Sequence, residues 1–272
     1  MNLNIIIASN YFSQNLADLY VCDGHKIYYR VRSRSKLLKA IRLISIICIS
    51  WTTKLAPKFG CILYLPHSYG RFGLIKKYCN YDQLVIIEDG IALMSARSFQ
   101  KNYIYNCFKD KKCDVVVACE DHAVESYDAP DVKVIPRHNV MKKMLSEYKG
   151  QAKLKITTSC ALIIDNGSWS AAQIEEIRVQ IKTKFDTDCL VILHPSRKAD
   201  LIGCIRLDEP VEIAWYQNKR KLTMIVTAFS TAAVNIKAFS PDVPIVFIYP
   251  DARFHRNRIL ELGSDVIDLE TQ

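Results

Sequence analysis

Short apolar runs alternate with helical patterns along the whole 272-residue chain. In the first half, strands are expected at about 3–8, 26–31, 61–65, 84–88 and 114–119, and helices at 13–20, 36–52, 71–79, 95–107 and 139–149. The stretch from Asp121 to Pro136 reads as a loop with two prolines and a short Val132–Ile135 strand inside it. Lys149-Gly150-Gln151-Ala152 is the best linker, and a second series follows it. Its strands are expected at 155–164, 189–193, 203–207, 222–228, 244–248 and 265–269, and its helices at 170–184, 211–218, 230–239 and 252–262. Ser170 suits the N-cap of the Ala171–Lys184 helix, with Glu175 and Glu176 favouring that end. Gly263 suits the end of the last helix. Apolar runs this short, bounded by turn signals, read as buried strands of parallel sheets. The whole is an α/β pattern: two doubly wound, Rossmann-like domains, 1–150 and 151–272, facing a cleft.

Three of the apolar runs end in chemistry. Leu84–Ile87 is followed by Glu88-Asp89-Gly90, Cys189–Leu193 by His194-Pro195, and Met224–Phe229 by Ser230-Thr231. In open α/β sheets, ligands bind outside the carboxyl ends of the strands. A carboxylate there can take a proton from a hydroxyl, and Gly90 lets a ligand approach. An imidazole can bind a departing phosphate and protonate it, and Pro195 fixes the backbone beside it. Hydroxyls and free amides at a helix N-terminus make an anion site. Taken singly, each also fits a plainer role: a solvated turn, a satisfied histidine, an N-cap. Loop residues Ser9 and Asn10 after the first strand, and Asn166 and Gly167 before the Ser170 cap, are further candidates for contact with a donor.

Competing chemistries lack their signatures. Ala8-Ser9-Asn10-Tyr11-Phe12-Ser13 contains no glycine, so the dinucleotide fingerprint GxGxxG is missing. GxxxxGK[ST] is absent, which argues against a P-loop NTPase. GxSxG is absent, which argues against Ser230 as a hydrolase nucleophile.

The net charge of +9 favours a polyanionic or negatively charged partner, but no nucleic-acid signature accompanies it. Ten cysteines form no CxxC, and Cys48, Cys61, Cys160 and Cys189 lie in apolar runs, where free thiols behave as small buried hydrophobes. Met1–Ser9 reads as a strand entering a turn, with no basic leader. Together these place the chain in a reducing cytosol. The longest apolar helix, Leu37–Trp51, is too short for a ~30 Å bilayer and carries Lys39 and Arg42. It follows Arg30, Arg32, Arg34 and Lys36, so it fits either a core helix or a peripheral helix on the anionic inner face of the plasma membrane.

The three signatures, in this order, resemble the bacterial sialyltransferases of GT-B-type fold, which include lipooligosaccharide and capsule sialyltransferases and polysialyltransferases. That family shares a D/E-D/E-G motif, an HP motif and a serine-serine or serine-threonine motif. Glu209-Pro210-Val211-Glu212-Ile213 looks like its proline-then-glutamate element. The resemblance implies an inverting transfer of sialic acid from CMP-sialic acid to a hydroxyl of an oligosaccharide or lipid-linked bacterial surface glycan. Asp89 would be the general base, with Glu88 its neighbour and rival. His194 would assist the CMP phosphate, Ser230 and Thr231 would hold it, and Glu212 would grip the ribose. The first domain would then carry the acceptor side and the second the CMP donor, with the reacting centre in the cleft. On that resemblance no metal and no cofactor are expected. The alternatives are another GT-B glycosyltransferase, with CMP-linked Kdo or a nucleoside-diphosphate sugar as donor, or a non-catalytic nucleotide- or glycan-binding module.

Overall fold

Ile5 and Ile7 of the first strand join one core cluster, while Ile6 between them is just as buried. A strand apolar on both faces belongs inside a covered parallel sheet. The computed structural model describes residues 2–8, 10–21, 23–30, 36–55, 60–66, 70–87, 113–118, 132–150, 154–165, 167, 169–195, 197, 199–228, 230–248 and 266–269. The helices expected at 95–107 and 252–262 lie outside the described residues, as do Gly263 and most of the Asp121–Pro136 stretch. The chain divides into two compact units, Met1–Met144 and Leu145–Gln272.

The first unit contains β1 (Asn2–Ala8), α1 (Tyr11–Tyr20), β2 (His25–Arg30), α2 (Lys36–Leu55), β3 (Gly60–Leu65), α3 (Gly70–Tyr78), β4 (Gln83–Ile87), β5 (Cys113–Ala118) and β6 (Val132–Val134). Helix α4 (Arg137–Glu147) leads out of it, and Val140, Met141 and Met144 are its buried residues beside Arg137. The six strands form one parallel sheet in the order β2-β1-β3-β4-β5-β6. Ile46 of α2 and Phe72 and Ile75 of α3 pack on Leu63, Leu65, Leu84 and Ile86, with Leu43, Ile47 and Ile49 at the margin. The inner face of α2 is therefore a core face. Helix α1 begins two residues earlier than the apolar pattern suggests, because Asn10 caps it. Asn10 Oδ1 accepts from the Ser13 N–H (2.8 Å), and Ser13 Oγ accepts from the Asn10 N–H (3.3 Å).

The second unit contains β7 (Cys160–Ile164), α5 (Ala171–Phe185), β8 (Asp188–Ile192), β9 (Cys204–Ile205), α6 (Val211–Asn218), β10 (Leu222–Thr227), α7 (Thr231–Phe239), β11 (Ile245–Ile248) and β12 (Val266–Leu269). Its sheet is also parallel, in the order β12-β11-β10-β7-β8-β9. Read from β9, this is the doubly wound dinucleotide-fold order. Ile174, Ile177 and Ile181 of α5 cover one face over Ala161, Ile163, Val191, Val226 and Val246.

The structure corrects several expectations. The strand expected at 155–164 begins only at Cys160. Residues before it are held by a side chain instead of a ladder: Asn218 Oδ1 accepts from the Ile156 N–H (3.2 Å), and its Nδ2 donates to the Leu154 carbonyl (3.0 Å). Ser170 caps α5 as expected, but its partner is Gln173, whose side chain accepts from the Ser170 N–H (2.8 Å). The Glu175 and Glu176 carboxylates lie beyond the first turn and accept from Arg178 and Gln180. Cys48 is exposed, not buried. Cys61 is buried as expected, and desolvation pushes its thiol up to about 12.

Candidate functional site

The second sheet reverses direction at its first strand. From β7 the chain moves outward to β8 and β9, then crosses back to lay β10 on the other side of β7. This is a topological switch point, where the loops leaving β7 and β10 turn opposite ways and open a crevice at the carboxyl edge. The residues just after β7 are Asp165 and Gly167, and those after β10 are Ala228 and Ser230. The first sheet has its own switch point, between β1 and β3, with Asn10 after β1.

Helix α7 starts at that crevice because Ser230 caps it. Its backbone is extended, and its Oγ accepts from the Ala232 N–H (3.2 Å). Thr231 is the first helical residue, and both side chains are half-buried. The other first-turn amides point toward the same edge, a setting that favours negative charge.

Glu212, in the first turn of α6, is only 8% exposed. Its Oε1 accepts from Asn235 Nδ2 of α7 (2.8 Å), and Asn235 is fully buried. The pair locks α6 against α7, so the glutamate and the Ser230-Thr231 cap belong to one packed assembly. Glu209, just before α6, is also buried, and its Oε2 accepts from the Tyr148 hydroxyl (3.1 Å). Among the described residues its Oε1 meets no donor.

His194 and Pro195 follow β8, one strand from the switch point, and both are exposed. A buried carboxylate that the sequence reading passed over fixes their backbone. Asp165 is 1% exposed. Its Oδ2 accepts from the His194 N–H (3.1 Å) and Arg197 Nε (2.7 Å), and its Oδ1 from the Gly167 N–H (2.9 Å) and Arg197 Nη2 (2.8 Å). Arg197 Nη2 also donates to the Trp169 carbonyl (2.7 Å). One carboxylate thus ties the loop after β7 to the loop after β8. Burial by itself would raise the Asp165 pKa. Hydrogen bonds from Arg197, His194 and Gly167, with the guanidinium charge, outweigh it and hold the group below its usual range. Because the pair is neutral, the hub adds no net repulsion toward an anion. Gly167 has φ +85°, a conformation that a side chain would strain.

Asp165 had a visible signal: a lone acid ending the apolar run Cys160–Ile164, just before Asn166-Gly167. Asn235 had none, being one polar residue inside a helix. Of the sequence-predicted residues, the structure gathers Gly167, His194, Pro195, Ser230 and Thr231 along one sheet edge, with Glu212 braced on α7. In the first unit, Ile87 ends β4 at the carboxyl edge. Glu88, Asp89 and Gly90 follow it in sequence and lie outside the described residues, as do Ser9 and Asn166. Among the described residues, no group of three or more His, Cys, Asp or Glu could hold a metal ion.

No protein-family model and no curated protein matches the chain in sequence. Solved structures match it in shape. The Methanocaldococcus jannaschii UDP-GlcNAc 2-epimerase, in complex with UDP-GlcNAc and UDP, superposes with TM-score 0.58 at 12% identity, over 99% of this chain and 89% of that one. The glycosyltransferase SnogD from Streptomyces nogalater gives 0.51 at 13% identity, over 99% and 87%. The fold is that of two Rossmann-like domains of GT-B type. A sialyltransferase from Photobacterium damsela gives 0.46 at 11% identity, over 99% and 81%, too weak a likeness to bear on the donor.

Proposed function

We propose that the protein is a glycosyltransferase, and specifically an inverting sialyltransferase that takes its donor from CMP-sialic acid and acts on a bacterial surface glycan. The observation that carries the proposal is the assembly at the second unit's switch point. A serine-capped helix N-terminus, a buried glutamate braced by Asn235 and a histidine loop pinned by Asp165 share one sheet edge. That is the inventory for a ribose and one phosphate, and it stands on a fold whose neighbours include a sugar-nucleotide enzyme solved with UDP-GlcNAc and UDP and a glycosyltransferase. The four motifs in family order support sialic acid as the group transferred.

Asp89, with Glu88 as its rival, removes the proton of the acceptor hydroxyl. The acceptor oxygen attacks the anomeric carbon as the bond to the CMP phosphate breaks, and the electron pair stays on that phosphate. His194 donates a proton or hydrogen bond to the departing group, while Ser230 and Thr231 spread its charge over hydroxyls and amides. Glu212 accepts from the ribose hydroxyls. The test is transfer from CMP-sialic acid to lipooligosaccharide and capsule acceptors, read as CMP release and as mass gained by the glycan. Asp89→Asn should bind CMP normally and lose roughly 10²–10⁴-fold in transfer, the usual worth of a general base. Loss with Glu88→Gln alone would move the base one residue. Wild-type transfer by Asp89→Asn, Glu88→Gln and His194→Ala alike would overturn the site. Transfer from a UDP-sugar, with none from CMP-sialic acid, would overturn the donor.

A further inference from the structure

Helix α2 is apolar on two sides. Its inner side, with Ile46, seals the first sheet. Its outer side exposes Ile41 (49%), Ile44 (60%) and Trp51 (47%), and the neighbouring α3 exposes Leu74 (48%) and Tyr78 (50%). The two helices are fastened at this face, because Trp51 Nε1 donates to the Tyr78 carbonyl (2.8 Å). Isolated exposed apolar residues are common, but five large ones on two joined helices mark an interaction surface.

Among the described side chains, Arg42 lies on α2 and Lys76 and Lys77 on α3, and the sequence of neither helix contains an aspartate or glutamate. Arg42 and Lys77 are exposed, and Lys77 Nζ lies 5.3 Å from the Tyr78 ring centre.

We propose that this face docks on an anionic phospholipid surface, with Ile41, Ile44 and Trp51 entering the acyl boundary and the cations meeting headgroup phosphates. The aliphatic tips have no use for a nucleic-acid backbone, whereas hydrocarbon takes them. A second copy of the chain would set the cations Arg42 and Lys77 against the same cations, which opposes pairing. Aromatic and aliphatic side chains rimmed by lysine and arginine are the composition of helices that lie in a bilayer interface. No described helix is long and apolar enough to cross a membrane, so this contact would be peripheral. The inference does not depend on the glycosyltransferase reading.

The test uses the full chain and phosphatidylcholine vesicles with or without phosphatidylglycerol. Of the three tryptophans, Trp169 and Trp215 are buried, so a blue shift on binding reports Trp51. The protein should sediment with the anionic vesicles at low salt, stay in solution with neutral ones, and be released by high salt. Ile41→Ser with Ile44→Ser should weaken binding about tenfold, from the apolar area left in water. Arg42→Glu with Lys77→Glu should weaken it more, since each charge near such a surface is worth about fivefold. Circular dichroism identifies variants that fold normally. Absence of binding to anionic vesicles at low salt overturns the proposal. So does concentration-dependent dimerisation without lipid that Ile44→Ser abolishes, which would make the face an interface between copies.

Discussion

Replacing Asp165 by asparagine removes one charge from a group that accepts four hydrogen bonds. The amide keeps the shape, but its NH₂ must face two of the four donors, either the Gly167 side or the His194 side. Arg197 then loses its counter-charge where its side chain is 13% exposed. Breaking a buried pair by removing one partner costs about 3–5 kcal/mol. The slight exposure of Arg197 points to the lower end, about 3 kcal/mol. For a domain of this size that is a fall in Tm of roughly 10 °C. Trp169 and Trp215, both buried in the second unit, report its melting by fluorescence. Arg197→Met should cost at least as much, because it strands a buried carboxylate. The double variant should be less damaged than the sum, with a coupling of at least about 1 kcal/mol. The effect also has a pH signature. The folded pKa of Asp165 is depressed, so its stabilisation is present above the unfolded value of about 4 and lost as pH falls below it. The gap between wild type and Asp165→Asn should therefore close in acid. A Tm change under about 3 °C, less than about 1 kcal/mol, with additive single variants would refute the idea that this carboxylate organises the two loops.

Three further outcomes separate architecture from chemistry. Ser230→Ala should lose about 1 kcal/mol of cap energy and Ser230→Gly only a few tenths; if both lose CMP affinity alike, the hydroxyl binds phosphate, and if Ser230→Gly binds CMP normally, it is only a cap. Asn235→Leu should cost about 1–3 kcal/mol in a urea melt by leaving Glu212 Oε1 without its donor, and should weaken CMP binding with it; unchanged stability would show that the α6–α7 pair is not braced there. Addition of EDTA should leave transfer from CMP-sialic acid intact, whereas loss restored by magnesium or manganese would overturn the metal-free chemistry.

Much of the framework was legible in the chain because buried parallel strands are unbroken apolar runs: Leu84–Ile87, Cys160–Ile164 and Ile245–Ile248 declare themselves. Their edges were harder to read. The Leu154–Ile156 segment satisfies its backbone through Asn218, and α1 begins at an Asn-Ser capping box without the usual glutamate. The Leu37–Trp51 run was legible as a helix, but one residue string cannot say which of two apolar faces meets the sheet. In the site, the hydroxyl pair, the histidine and Glu212 were legible as end-of-strand or helix-start signals. Asp165 showed only as a lone acid ending an apolar run, and Arg197 and Asn235 did not show at all, because their importance lies in partners 32 and 23 residues away. The Glu88-Asp89-Gly90 reading rests on sequence.

The central claim, that the second unit holds a cytidine monophosphate donor, is tested most directly by melting the full chain with CMP, UDP, GDP and ADP in turn. A ligand at a hundredfold excess over its Kd stabilises the native state by about 2.7 kcal/mol. CMP should raise the Tm of the wild type, UDP should leave it unchanged, and the CMP shift should shrink in His194→Ala. A shift with UDP or GDP equal to or larger than that with CMP would contradict the account.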